Sequence, residues 1–339
     1  MPTFPNLLAT ATIINRTQEP PLENQNQDKP VDPALPPVKQ FKIEDHRSGQ
    51  KLKFPQPERG TLFLVGGGSS NRERFEAYDD EIKKQFFELA RKNKAARDPN
   101  SQGAAVHLVV IPTASEQLSE FIKENEGAHT LKDAWERHGF KKVSFLHFLP
   151  NENVSDLTLK NSINILESAD AVWITGGKQK RLLHYRNTPI HLELFKVLNR
   201  GGVIGATSAG TAMATRTSVL DESPIPDTPK HLLELDYGFG FTDKFTTDQH
   251  FLARNRKVRG IEIVKHQNDK LPESENNNAV LGIDENTALI YNIANSHAYS
   301  IGESKSLHLT KEVDGEIITT NISSIPTSPS VISKPRANK

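Results

Sequence analysis

Six residues, Gly205-Ala206-Thr207-Ser208-Ala209-Gly210, set a serine between small neighbours where the apolar run 202–205 gives way to the helix-like segment 209–215. A serine on a strand-to-helix turn holds its hydroxyl exposed on a strained backbone, which requires small residues two positions to either side. Ala206 and Gly210 meet that requirement. The helix start adds the Ala209 N–H as a donor toward developing negative charge. The same six residues also suit an ordinary turn or a phosphate cradle, so the hydroxyl needs partners elsewhere in the chain.

A nucleophilic serine needs a base, and histidine is the side chain that ionises near neutrality. Among twelve histidines, His250 stands in the densest polar stretch, Asp248-Gln249-His250-Phe251, and opens a basic run containing Arg254, Arg256 and Arg259. Those arginines suit a solvated helix face or a bidentate grip on substrate carboxylates. Further on, Asp284 and Glu285 interrupt an apolar strand pair within Leu281–Ala288. They are either exposed turn acids or the source of a carboxylate that fixes the His250 tautomer and stabilises its imidazolium.

Two glycine turns complete the set. In Thr175-Gly176-Gly177-Lys178-Gln179 the glycines let the backbone approach a bound group, so an N–H here suits the second donor of an oxyanion hole; a plain turn is the alternative. It is no Walker motif, because Gln179 stands where Ser or Thr is required. Gly66-Gly67-Gly68 is no dinucleotide fingerprint, because Asn71 occupies the place of the third glycine.

The elements that must position these residues alternate in type. Apolar runs at 61–65, 106–112, 143–148, 171–175 and 202–205 read as strands, and 75–94, 116–138, 154–169 and 192–200 read as helices. That alternation predicts an α/β domain over 59–322, with a three-layer, doubly wound, mostly parallel sheet whose chemistry lies beyond the carboxyl ends of its strands. Short runs from Val280 to about Asn321 are expected to finish the sheet with antiparallel strands. Residues 1–58, rich in Pro, Gln, Asn and charge, and residues 323–339 have too little apolar surface to offset their ordering entropy and are expected as flexible extensions.

Composition narrows the chemistry. Lys plus Arg and Asp plus Glu both total 42, and a net charge of zero speaks against a nucleic-acid surface. The chain has no cysteine, which removes disulfides, zinc–thiolate sites and every cysteine nucleophile. No apolar run reaches the roughly 18 residues of a membrane span, and the start lacks the basic region of a secretory signal. The expectation is a cytoplasmic protein without a membrane partner, a secreted form remaining open.

Taken together, Thr175-Gly176-Gly177-x-Gln179, Thr207-Ser208-Ala209-Gly210, Asp248-Gln249-His250-Phe251 with its downstream arginines, and Gly282-Ile283-Asp284-Glu285-x-Thr287-Ala288 resemble the cyanophycinases, serine peptidases related to aspartyl dipeptidase (peptidase E). The likeness covers roughly residues 60–300. It implies a flavodoxin-like sheet, similar to that of class I glutamine amidotransferases, which need the cysteine this chain lacks. It further implies Ser208 as nucleophile, His250 as base and Glu285, rather than Asp284, as acid. Gly177 and Ala209 would form the oxyanion hole, and Gln179, Asp248, Gln249, Arg254, Arg256 and Arg259 would line the substrate pocket. The implied substrate is cyanophycin, a polyaspartate bearing arginine on each side-chain carboxyl, cut to β-aspartyl-arginine dipeptides by a homodimer without metal or organic cofactor. An aspartyl or isoaspartyl dipeptidase and a catalytically inactive cyanophycin-binding homologue are the alternatives. Ala206 departs from the family's glycine, Gly260 from its apolar residue, and polar insertions near 222–229 and 266–278 are expected to reshape the cleft rim.

Overall fold

The computed structural model describes residues 39–326, apart from 50–51, 69–71, 102, 116–124, 149–154, 271–278, 305, 312–315 and 323–324. Its first part contains strands β1 (Gln40–Asp45), β2 (Thr61–Val65), β3 (His107–Ile111), β4 (Lys142–Phe145), β5 (Ala171–Ile174) and β6 (Val203–Thr207). Between β2 and β6 run helices α1 (Arg72–Arg97), α2 (Asn125–Arg137), α3 (Asp156–Glu167) and α4 (Pro189–Asn199). The second part continues with α5 (Ala209–Ala214), β7 (Thr217–Pro224), β8 (Lys230–Tyr237), β9 (Thr246–Gln249), α6 (Lys257–Lys270) and β10 (Ala279–Ile283). It ends with β11 (Thr287–Asn292), β12 (His297–Gly302), β13 (Ser306–Lys311), β14 (Ile317–Asn321) and β15 (Ile325–Pro326). Local signals set the helix starts: Ser155 accepts from the Thr158 N–H ahead of α3, and Thr188 caps α4 in front of Pro189.

Eight strands form the main sheet in the order β15-β12-β11-β2-β6-β5-β3-β4. The strands β2, β6, β5, β3 and β4 are parallel, and β11 adds antiparallel to β2. A parallel strand covered on both faces is a near-continuous apolar run, and β2 and β3, buried at every position, are apolar after their first residues, Thr61 and His107. Leu62 and Leu64 join Val109, Ile111, Val172 and Ile174 in one core, whereas Phe63 and Val65 join Leu108, Val110 and an aromatic group of Phe86, Trp135, Phe140 and Trp173 in the other. This is the mostly parallel three-layer sheet that the alternating runs predict. Among the described residues, no helix is long and apolar enough to cross a membrane.

The antiparallel strands expected at the C-terminal end are present, and the structure corrects two boundaries. The C-terminal strands divide: β11, β12 and β15 extend the main sheet, whereas β10, β13 and β14 join β9 in a separate four-stranded sheet. A third sheet, β1-β8-β7, packs with that second sheet and α6 through Val219, Leu233, Leu235, Phe251, Ile263, Val280 and Leu309. The extension assigned to 1–58 therefore stops short, because β1 pairs in parallel with β8 along Gln40–Asp45 and packs the half-buried Phe41 and Ile43 against this third core. Likewise the tail assigned to 323–339 begins with β15, paired to β12. Residues 1–38 and 327–339 lie outside the described residues, as do 271–278 of the second insertion, whose start forms the last turns of α6.

Candidate active site

Strand β6 lies between β2 and β5, so its carboxyl end is flanked by the turns that follow both neighbours. Ser208 begins that end with φ 48° and ψ −108°, a left-handed backbone that costs a non-glycine residue roughly 1–3 kcal/mol. Two hydrogen bonds hold it there: the Ser208 N–H donates to the Val65 carbonyl at 3.0 Å, and its carbonyl accepts from the Ala212 N–H at 3.0 Å. Thr211 adds its hydroxyl to the Val65 and Ala206 carbonyls. Gly176, in the turn after β5, comes so close that a Cβ there would lie 3.0 Å from the Ser208 Cβ. Gly177 follows at φ 131°, a conformation open to glycine. Neither the Gly177 nor the Ala209 N–H has an acceptor among the described residues.

His250 comes from the second sheet. Parallel pairing of Gln249 with Ile283 makes β9 and β10 end together, so His250 and the Asp284-Glu285 pair emerge side by side. The Ser208 Oγ lies 2.9 Å from His250 Nε2, and His250 Nδ1 lies 2.7 Å from Glu285 Oε1. His250 is itself left-handed, at φ 48°, with its N–H on the Gly66 carbonyl at 2.9 Å. The imidazole rests on Gly67, where a Cβ would stand 2.2 Å from Cε1 at a φ of 120°. Here Gly66-Gly67-Gly68 has a role that its sequence did not disclose: it is the seat of the histidine ring. Burial lowers the imidazole pKa; the Glu285 hydrogen bond opposes this, Arg254 and Arg256 reinforce it, and the balance lies below the ordinary value.

The two acids between β10 and β11 are separated by their contacts. Glu285 meets the imidazole, whereas Asp284 turns the other way. Its Oδ1 accepts the Leu252 and Ala253 N–H groups at 3.0 and 2.9 Å, and its Oδ2 accepts the Ser304 hydroxyl. Asp284 thus fastens the turn that follows His250.

Beside Ser208 opens a cleft of about 760 Å³, bordered by Gly176, Gly177, Gln179, Gln249 and the arginines. The three arginines are not equivalent. Arg254 is exposed and makes no ion pair among the described residues. Arg256 donates to the Gln249 carbonyl at 2.6 Å, and burial pushes its pKa down to about 10. Arg259 is buried in a two-pronged pair with Asp248 and reaches Glu222 Oε2 at 2.9 Å. Asp248, fully buried behind Arg259, does not border the cleft, which corrects its expected place in the pocket lining. Gln179 is held by a bond from its Nε2 to the Val219 carbonyl at 3.0 Å. Sequence reasoning missed Ser115 and Asp221 at the cleft border, of which only Asp221, adjoining the polar stretch noted at 222–229, had any signal, and it noted the Gly67 turn without its role beneath the His250 ring.

A doubly wound sheet with this site at its carboxyl end belongs to a hydrolase of the serine-peptidase type. Known proteins bear this out. The chain belongs to peptidase family S51, whose model matches residues 62–298. Cyanophycinases of Nostoc sp. and Trichormus variabilis are each 26% identical to it over 244 residues, covering 71% of this chain and 70% of theirs. The crystal structure of a peptidase from an acI-B1 Actinobacterium superposes with a TM-score of 0.53 at 21% identity, over 80% of this chain and 98% of that one, a likeness of fold.

Proposed function

We propose that the protein hydrolyses cyanophycin from a chain end, with Ser208 as nucleophile, His250 as general base and Glu285 as the acid that orients it. The observation that carries this is the unbroken contact chain from the Ser208 hydroxyl through His250 to Glu285 at the mouth of an arginine-lined cleft. The Ser208 Oγ adds to the aspartyl carbonyl while its proton passes to His250 Nε2. The tetrahedral oxyanion is held by the Gly177 and Ala209 N–H groups, each such donor contributing about 3 kcal/mol. The imidazolium then returns its proton to the departing amine, leaving an acyl-serine that water, activated by the same histidine, releases as the free acid.

A neutral imidazole is the working form of the base, and the lowered His250 pKa keeps it neutral. Arg254 and Arg256 offer donors and positive charge to substrate carboxylates, while Arg259 spends its fork on Asp248 and Glu222 and so stiffens the wall behind them. Incubation with insoluble cyanophycin, followed by mass spectrometry of the soluble fraction, tests the reading. Release of β-aspartyl-arginine is expected. No release from the polymer together with cleavage of short aspartyl peptides would replace it with the dipeptidase reading, and neither reaction would leave a binding protein.

A further inference from the structure

The cleft has a second wall. Opposite in charge to the arginine row, strand β7 bulges between Val219 and Asp221 and brings Asp221 and Glu222 to the border of the same cleft. The two acids differ in what they have left to offer. Glu222 is committed on both oxygens, to Arg259 at 2.9 Å and to Lys39 at 3.0 Å, with His231 at 3.2 Å. Asp221 accepts the Glu222 N–H on Oδ1 at 2.9 Å but keeps half of its side chain exposed, and the Lys180 that meets its Oδ2 at 3.2 Å is shared with Glu234 at 3.0 Å. One lysine thus faces two carboxylates, which leaves negative charge at the rim.

A separate observation comes from the cleft floor. Gln249 is 4% exposed and borders the cleft, yet its side-chain oxygen has no hydrogen-bond partner among the described residues. A buried acceptor without a donor is unfavourable unless a ligand brings the missing N–H. The arginine wall asks the ligand for carboxylates; Gln249 and Asp221 ask it for N–H groups and positive charge. Resting on the proposed aspartyl-peptidase function, we infer that Asp221 and the Gln249 side-chain oxygen form a subsite for a guanidinium on the substrate. A guanidinium presents five N–H donors in a planar fork and can serve two separate acceptors, which an ammonium does less well.

The test uses synthetic β-aspartyl peptides that differ in one side chain: arginine, its neutral isostere citrulline, or lysine. Values of kcat/KM are measured for the parent and for Asp221→Asn, with thermal melting to confirm the fold. The parent is expected to favour arginine over citrulline by about tenfold or more, and lysine to fall below arginine. Asp221→Asn is expected to cut the arginine-to-citrulline ratio by about five- to tenfold, part of the charge effect being screened by solvent. Gln249→Leu should lower the same ratio. A ratio that Asp221→Asn leaves unmoved, while every peptide is still cut, overturns the subsite and spares the peptidase reading. Lysine and arginine cut equally well would overturn the guanidinium assignment. Failure of the parent to cut any of these peptides would overturn the peptidase reading, and the subsite with it.

Discussion

Alanine at position 208 leaves the small side chain that the turn requires and removes only the reacting oxygen. Ser208→Ala is therefore expected to melt near the parent temperature and to lose hydrolysis by a factor on the order of 10⁴–10⁶. Replacing His250 with alanine should cost about as much, because without a base the hydroxyl is not activated. Glu285→Gln should cost less, since it disturbs the tautomer and the imidazolium but leaves the base in place. The ranking is read from kcat on one substrate, and a larger loss at Asp284→Asn than at Glu285→Gln would put the orienting carboxylate at the wrong residue. The pH profile carries a sign of its own. His250 works when neutral and its pKa lies below the ordinary value of about 6.5, so kcat/KM should rise with pH through a midpoint under 6.5 and then level off. Arg254 is one of the charges holding that pKa down. Its replacement by alanine makes protonation easier, raises the pKa and moves the acid limb to higher pH. A limb that stays still or moves lower would mean that Arg254 does not act on the imidazole.

Elements supply what single residues cannot. The turn after β2 is a test case: Gly67→Ala forces a Cβ into the His250 ring at a φ that side chains rarely adopt. A ring displaced by about 1 Å is expected to lose on the order of 10²-fold in kcat. Rates unchanged in this variant would show that the ring does not need its seat. Strand β1 is the second case. Deleting residues 1–38, rich in Pro, Gln and Asn, should leave activity near the parent level. Extending the deletion to residue 49 removes β1 from β8, and with it the Arg47 hydrogen bond to Thr217 and the Lys39 pair with Glu222. A clear fall in melting temperature should follow, accompanied by weaker substrate binding through the loosened Glu222–Arg259 pair. Equal stability of the two truncated proteins would show that β1 contributes nothing.

At the scale of the molecule, the parallel half was legible because strands buried on both faces are continuously apolar, as in Leu62-Phe63-Leu64-Val65 and Leu108-Val109-Val110-Ile111. The candidate site was legible through rare residue combinations: a serine among small residues, a histidine beside a basic run, and an acid pair breaking an apolar segment. Strand β1 was not, because a proline-rich setting hid the alternation of Phe41 and Ile43 with polar neighbours. The β7–β8 hairpin was legible only as a polar insertion at 222–229 expected at the cleft rim; that a bulge in β7 turns Asp221 and Glu222 onto the cleft was not. The seat at Gly67 was invisible for a different reason: the contact spans some 180 residues, and no local spacing encodes it. Since three separate sheets deliver Ser208, His250 and the acid wall, the molecule must fold as a whole before any of this chemistry exists. The most direct measurement is covalent labelling of the folded protein with a serine-directed phosphonate, with the adduct located by peptide mapping. A single adduct on Ser208, lost in Ser208→Ala and formed far more slowly in His250→Ala, is the expected result. An adduct on another serine, or labelling of His250→Ala at the parent rate, would contradict the assignment of nucleophile and base.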